Sequence, residues 1–148
     1  MTRRWTLFAS AAILLLGLTA CVGGESTDSV SFQERDPNAW AQEVFGSDLW
    51  QAEGMSGGAG GIAPGSEAGT SFTPEQPGWY SISIACQGPT SISVKITGTG
   101  GEIGSGITPC GPAVTTTMDL PVGKIAVKVD GANTKGMWAL AVSPTEAP

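Results

Sequence analysis

Histidine is absent from the 148 residues. That removes Ser-His-Asp and Cys-His catalytic arrangements, together with the commonest transition-metal ligand. Cations are scarce too: Lys and Arg number 7 against 13 Asp and Glu, a formal balance of −6. Without clustered positive charge, nucleic acid and an anionic lipid surface are excluded as partners held by charge. The longest apolar run, residues 7–18, is shorter than the ~20 residues a membrane-spanning helix needs. Only three cysteines occur, none in CxxC spacing, so neither a redox pair nor a zinc site is indicated.

The remaining chemistry is equally sparse. Lys95 and Lys128 fall at expected solvent-facing strand positions, where a lysine keeps its charge and does not serve as the base of a Ser-Lys dyad. Glycoside cleavage would need two of Glu34, Asp36, Glu53, Glu67, Glu75, Glu102, Asp119 and Asp130 to meet across a cleft, yet most lie in turns or near the tail. The turn Asp130-Gly131-Ala132-Asn133 offers oxygen ligands but lacks the further carboxylates of a calcium loop. The expectation is a chain with no catalytic residues, no metal and no cofactor.

What is present begins with Thr2-Arg3-Arg4, a positive leader to the apolar residues 7–18, which have the ~7–15-residue length of a secretory signal core. The segment closes on Leu18-Thr19-Ala20-Cys21: an aliphatic residue, a small one, Ala, then Cys. This pattern resembles the lipobox of bacterial lipoproteins. The resemblance implies cleavage before Cys21 by the lipoprotein signal peptidase and a diacylglyceryl thioether on the Cys21 sulfur. Each buried methylene of an acyl chain contributes ~0.8 kcal/mol, so two chains anchor firmly without a basic patch. Residues 1–20 are thus expected to be a signal peptide, and the protein to sit on the extracytoplasmic face of the cell membrane. Removal of Arg3 and Arg4 moves the balance from −6 to −8 over the remaining 128 residues. Arg3-Arg4 also resembles a twin-arginine export signal, although Thr6 stands where that signal has a large apolar residue.

Residues 21–31 read as a flexible tether without apolar period, and residues 32–53 as a lead-in that packs on the following domain. Within it, Asp36 caps a helix over residues 37–45 with Pro37 at its first position and Gly46 at its end. Trp40 and Val44, and Ala41 and Phe45, form a short apolar stripe that must find cover. Residues 54–69 carry seven glycines and read as a loop, or as a loop interrupted by a short strand over 52–55. No GKS or GKT follows to make it a phosphate cradle.

From residue 69 onward apolar and polar residues alternate repeatedly. The alternating sets are Tyr80, Ile82, Ile84 and Cys86; Ile92, Val94 and Ile96; Val114, Thr116, Met118 and Leu120; Ile125, Val127 and Val129; and a last run over residues 136–143 offers Trp138, Leu140 and Val142. Gly- and Pro-rich turns join the runs, and such short connections force antiparallel pairing. The expected fold over residues 54–148 is all-β: a small antiparallel β-sandwich of jelly-roll or Greek-key type, with a small closed β-barrel as the competing architecture.

With Cys21 assigned to lipid, Cys86 and Cys110 form an even pair in an exported protein, where a disulfide is expected. Two functions remain. One is a lipid-anchored, non-catalytic structural or protein-interaction module of the cell envelope, its partners the membrane and an envelope protein. The alternative is a carbohydrate-binding module that stacks sugars on exposed aromatic rings. Trp79, which alternation turns away from the core, is the candidate ring, with Trp50 and Trp138 as companions.

Overall fold

In the computed structural model, which describes residues 35–148, the first helix begins where the sequence places its cap. The lipobox, Cys21 and the tether lie outside the described residues. The Asp36 side chain accepts a hydrogen bond from the Asn38 amide at 3.0 Å. Pro37 opens helix α1, Pro37–Phe45. Gly46, at φ 83°, ends it and leads directly into a single further turn, α2, Ser47–Trp50.

Eight strands follow: β1 Ser56–Ile62, β2 Ala68–Phe72, β3 Gly78–Gln87, β4 Ser91–Gly98, β5 Gly101–Pro109, β6 Val114–Leu120, β7 Ile125–Asp130 and β8 Gly136–Pro144. They form two four-stranded antiparallel sheets of order β1-β8-β3-β6 and β2-β7-β4-β5. Successive strands alternate between the sheets except at the β4–β5 hairpin, which is the order of a jelly roll. Both sheets have free edges, so the architecture is a sandwich and not the closed barrel.

Two stretches depart from the sequence reading. Residues 54–69 are not a loop: most of them form β1 and the start of β2, and no strand occupies 52–55. Glycine hides the alternation, but the pairing demands it. A side chain at Gly57 would collide with the Leu140 carbonyl of β8, and Gly60, in register with Trp138, leaves room for the indole. The other stretch, β5, escapes notice for the same reason, since its inward positions include Gly104 and Gly106, opposite Ile96 and Val94.

The core between the sheets is built from the inward sets. Ile82, Ile84, Ile92, Leu120, Ile125, Val127 and Leu140 are all buried within it. Tyr80 joins them and satisfies its hydroxyl by donating to the Gln76 carbonyl at 2.8 Å. The inward side of β6 is a partial exception. Val114 is 37% exposed and Thr116 is exposed, because β6 is an edge strand and the facing β5 presents glycine. The Cys86–Cys110 disulfide joins the end of β3 to the turn between β5 and β6. Backbone bonds from Cys110 to Thr90 and from Gly111 to Cys86 hold the same junction.

Helix α1 covers the outer face of the first sheet. Trp40 and Ala41 pack on Ala85, Met137 and Ala139, with Val44, Phe45, Trp50 and Ala59 around them. Small residues at the outward positions of β1, β3 and β8 let the helix approach. No helix lies on the outer face of the second sheet among the described residues.

Candidate functional site

The uncovered face of β2-β7-β4-β5 carries a concave surface, a groove of about 580 Å³. Register fixes its floor. Ser93 of β4 lies between Asp130 of β7 and Ile107 of β5; one row along, Lys95 lies between Lys128 and Ser105. Gly69 of β2 is opposite Lys128, so β2 places no side chain directly beside that lysine.

Like charges directly opposite one another destabilise a sheet, and Lys95 faces Lys128 across the strands. Each ammonium is answered from the flank. Lys128 donates to Glu67 at 2.6 Å and Lys95 pairs with Glu102 at 2.8 Å. Ser105 donates to the second oxygen of Glu102 at 2.8 Å. A belt of two facing ammoniums, each closed on its outer side by a carboxylate, thus crosses from the β1–β2 loop to β5.

The hydrogen bond from Lys128, reinforced by its charge, holds the Glu67 carboxyl below the ordinary carboxylate range. Bonds from Lys95 and Ser105 and the charge of Lys95 do the same for Glu102. At the rim, Asp130 accepts from the Ala132 amide at 2.8 Å, which fixes that carboxylate in its turn. Ile107, 77% exposed, gives the groove one open apolar contact.

The three tryptophans are not brought together. Trp138 is 3% exposed and belongs to the core between the sheets, so its expected role as a stacking surface is corrected: alternation places it inward with Leu140 and Val142. Trp50 stacks on Phe45, with centroids 5.9 Å apart and planes 18° apart, inside the cover of the other sheet. Trp79 is half-buried on β3 opposite Asp119 and lines a depression of about 360 Å³ with Pro144 and Thr145.

No protein-family model matches the chain, and no curated protein matches it. Solved structures give distant likenesses. A carbohydrate-binding module from Cellvibrio mixtus lichenase 5A, in complex with cellotriose, is 15% identical with a TM-score of 0.43, over 68% of this chain and 94% of that one. A carbohydrate-binding module in complex with calcium and xylotriose is 16% identical with a TM-score of 0.38, over 62% of this chain and 94% of that one. A chain from the disulfide-linked pili of Bacillus endospore appendages is 12% identical with a TM-score of 0.38, over 63% of this chain and 89% of that one. With TM-scores under 0.5, none of these likenesses carries a ligand across to this chain.

The groove residues were within reach of the sequence only in part. Alternation turns Ser93, Lys95 and Lys128 outward, but that Lys95 and Lys128 face one another depends on β4 pairing with β7, which no local pattern encodes. Ser105 and Ile107 lie on β5, whose glycines hide its alternation, and Glu67 lies in the loop between β1 and β2, where no periodicity places it. Among the described residues, no group of three or more Cys, Asp or Glu converges as a metal site would require.

Proposed function

We propose that this chain is a lipid-anchored extracytoplasmic module that holds a glycan across the outer face of β2-β7-β4-β5 and performs no chemistry of its own. The observation that carries this reading is the groove, whose floor of Lys95, Lys128, Ser93 and Ser105 is flanked by Glu67, Glu102 and Asp130. Sugar hydroxyls both donate and accept. A floor in which two ammonium donors are flanked by carboxylate acceptors, each held by its neighbour, meets that need without reorganisation. Ile107 supplies an apolar contact for the C–H face of a ring.

A protein partner suits this surface less well, because protein interfaces place apolar residues, not charge, at their centre. The aromatic platform that motivated a glycan reading is replaced by this polar floor. The Cys86–Cys110 disulfide supports export, since such bonds persist in oxidising compartments. Attachment through Cys21 rests on the lipobox resemblance, and Cys21→Ala is expected to leave an unprocessed precursor without lipid label. Normal processing of that variant would contradict the anchor.

The test of the groove is a screen of the full chain against bacterial and plant oligosaccharides, followed by Lys95→Ala and Lys128→Ala on the best binder. Binding that either substitution weakens at least tenfold supports the reading. Binding indifferent to both would refute it.

A further inference from the structure

A second, apolar space lies on the other side of β5. It is a slot of about 220 Å³ between the edge strands β5 and β6, floored by the core residues Ile82, Ile84, Ile96 and Leu140 and walled by Met118. No charged side chain lines it. Its openness comes from Gly106. The register sets Gly106 opposite the inward-facing Val94, a side chain there would meet nothing within 4 Å, and its φ lies outside the left-handed region.

Neither sterics nor backbone conformation therefore calls for glycine at this position, while glycine weakens a strand interior and leaves the core unfilled. The bulge of the β4–β5 pair falls elsewhere, between Ile96 and Thr97. What remains among the usual reasons for a strand glycine is the close approach of a ligand.

The slot and the groove lie back to back across the β4–β5 end of the second sheet. Val94, Ser105 and Gly106 line both, and β5, the strand between them at the sheet edge, has a free outer side. We propose that they form one site for a single-chain glycolipid, its sugar on the outer face of β2-β7-β4-β5 and its aliphatic chain turned over the β5 edge into the slot. This rests on the glycan reading of the groove. The uncharged lining matches a hydrocarbon chain, and at about 30 Å³ per water-sized group the slot holds about seven methylenes. The Cys86–Cys110 bond ties down the β5–β6 turn, through which the two walls of the slot are joined in the chain.

The probe is a series of alkyl maltosides, from methyl to decyl, each below its micelle concentration. They are titrated by calorimetry into the full chain carrying Cys21→Ala, so that no lipid of its own competes. Affinity is expected to rise by up to about fourfold per methylene, the value for a fully buried group, and to level off near seven carbons. Gly106→Val, whose Cβ meets nothing within 4 Å and whose methyl groups enter the slot, should abolish the rise while keeping or raising Tm. Thr116→Trp, which closes the slot from the β6 wall, should do the same. Lys95→Ala and Lys128→Ala should weaken every member of the series by a common factor. Absence of a chain-length rise, or a rise that survives both slot variants, overturns the proposal and leaves the sugar groove standing. A rise that the slot variants remove but the lysine variants do not touch overturns the joined site and the glycan reading with it.

Discussion

The two outer faces of the sandwich follow the same alternation and end in opposite conditions. On the first sheet the outward residues under the helix are Ala59, Ala85, Met137 and Ala139, and α1 lies on them with Trp40 and Ala41 buried. On the second sheet the outward residues are Ser93, Lys95, Lys128 and Asp130, and no helix covers them among the described residues. Small apolar outward residues invite a neighbouring element, because they remove the steric and desolvation cost of close approach. Paired charges keep a face open to solvent and to polar ligands. The difference separates a face used for stability from one free for binding.

Substitutions should expose that division, the largest effects falling on the covered face. Ala139→Glu would bury an uncompensated carboxylate beneath α1 and is expected to cost about 3–5 kcal/mol, read as a collapse of Tm in thermal unfolding. Trp40→Ala, which removes the helix's main contact, should cost a comparable 3–5 kcal/mol and release α1 to proteolysis. If α1 stayed protected in that variant, the helix would not owe its place to this packing.

The disulfide comes next. Replacing Cys86 and Cys110 by Ser is expected to cost about 3.5 kcal/mol in the chain-entropy model of a closed loop of this length, read from the denaturant midpoint. Its local consequence should be loosening of the β5–β6 turn, seen as faster amide exchange at residues 109–114. Unchanged exchange there would separate the bond from the geometry of the slot.

The smallest effect belongs to the open face. Glu67 and Glu102 have carboxyls held below the ordinary range in the folded state, so their stabilisation is present above the unfolded carboxylate range and is lost as pH falls through the depressed folded values. Both side chains are exposed, and exposed ion pairs contribute little. Glu67→Gln and Glu102→Gln should therefore leave Tm at neutral pH almost unchanged and flatten its slight decline under acid. A large loss of stability at neutral pH would mean that the belt is structural.

Much of the fold was legible in the sequence. The runs that became β3, β4, β7 and β8 carry Ile, Val and Leu at every second position, so the core declared itself. β1 and β5 did not, since Gly58, Gly60, Gly104 and Gly106 supply no side chain by which an inward position could be recognised. Those same absences matter physically: Gly60 admits Trp138, and Gly106 leaves the slot empty. The candidate site was less legible than the fold. Trp138 has the chemistry of a stacking ring, but alternation with Leu140 and Val142 commits it to the core. Lys95 and Lys128 become a pair only through strand order, which is set by the whole sandwich.

The central claim is that the polar outer face of β2-β7-β4-β5 is the binding face. Backbone amide shifts of the full chain, followed during titration with the oligosaccharide that binds best, test it most directly. The account predicts perturbations concentrated at Ser93, Lys95, Ser105, Ile107 and Lys128, with Trp50 and Trp79 unmoved. Perturbations centred on Trp79, or on the face beneath α1, would contradict it.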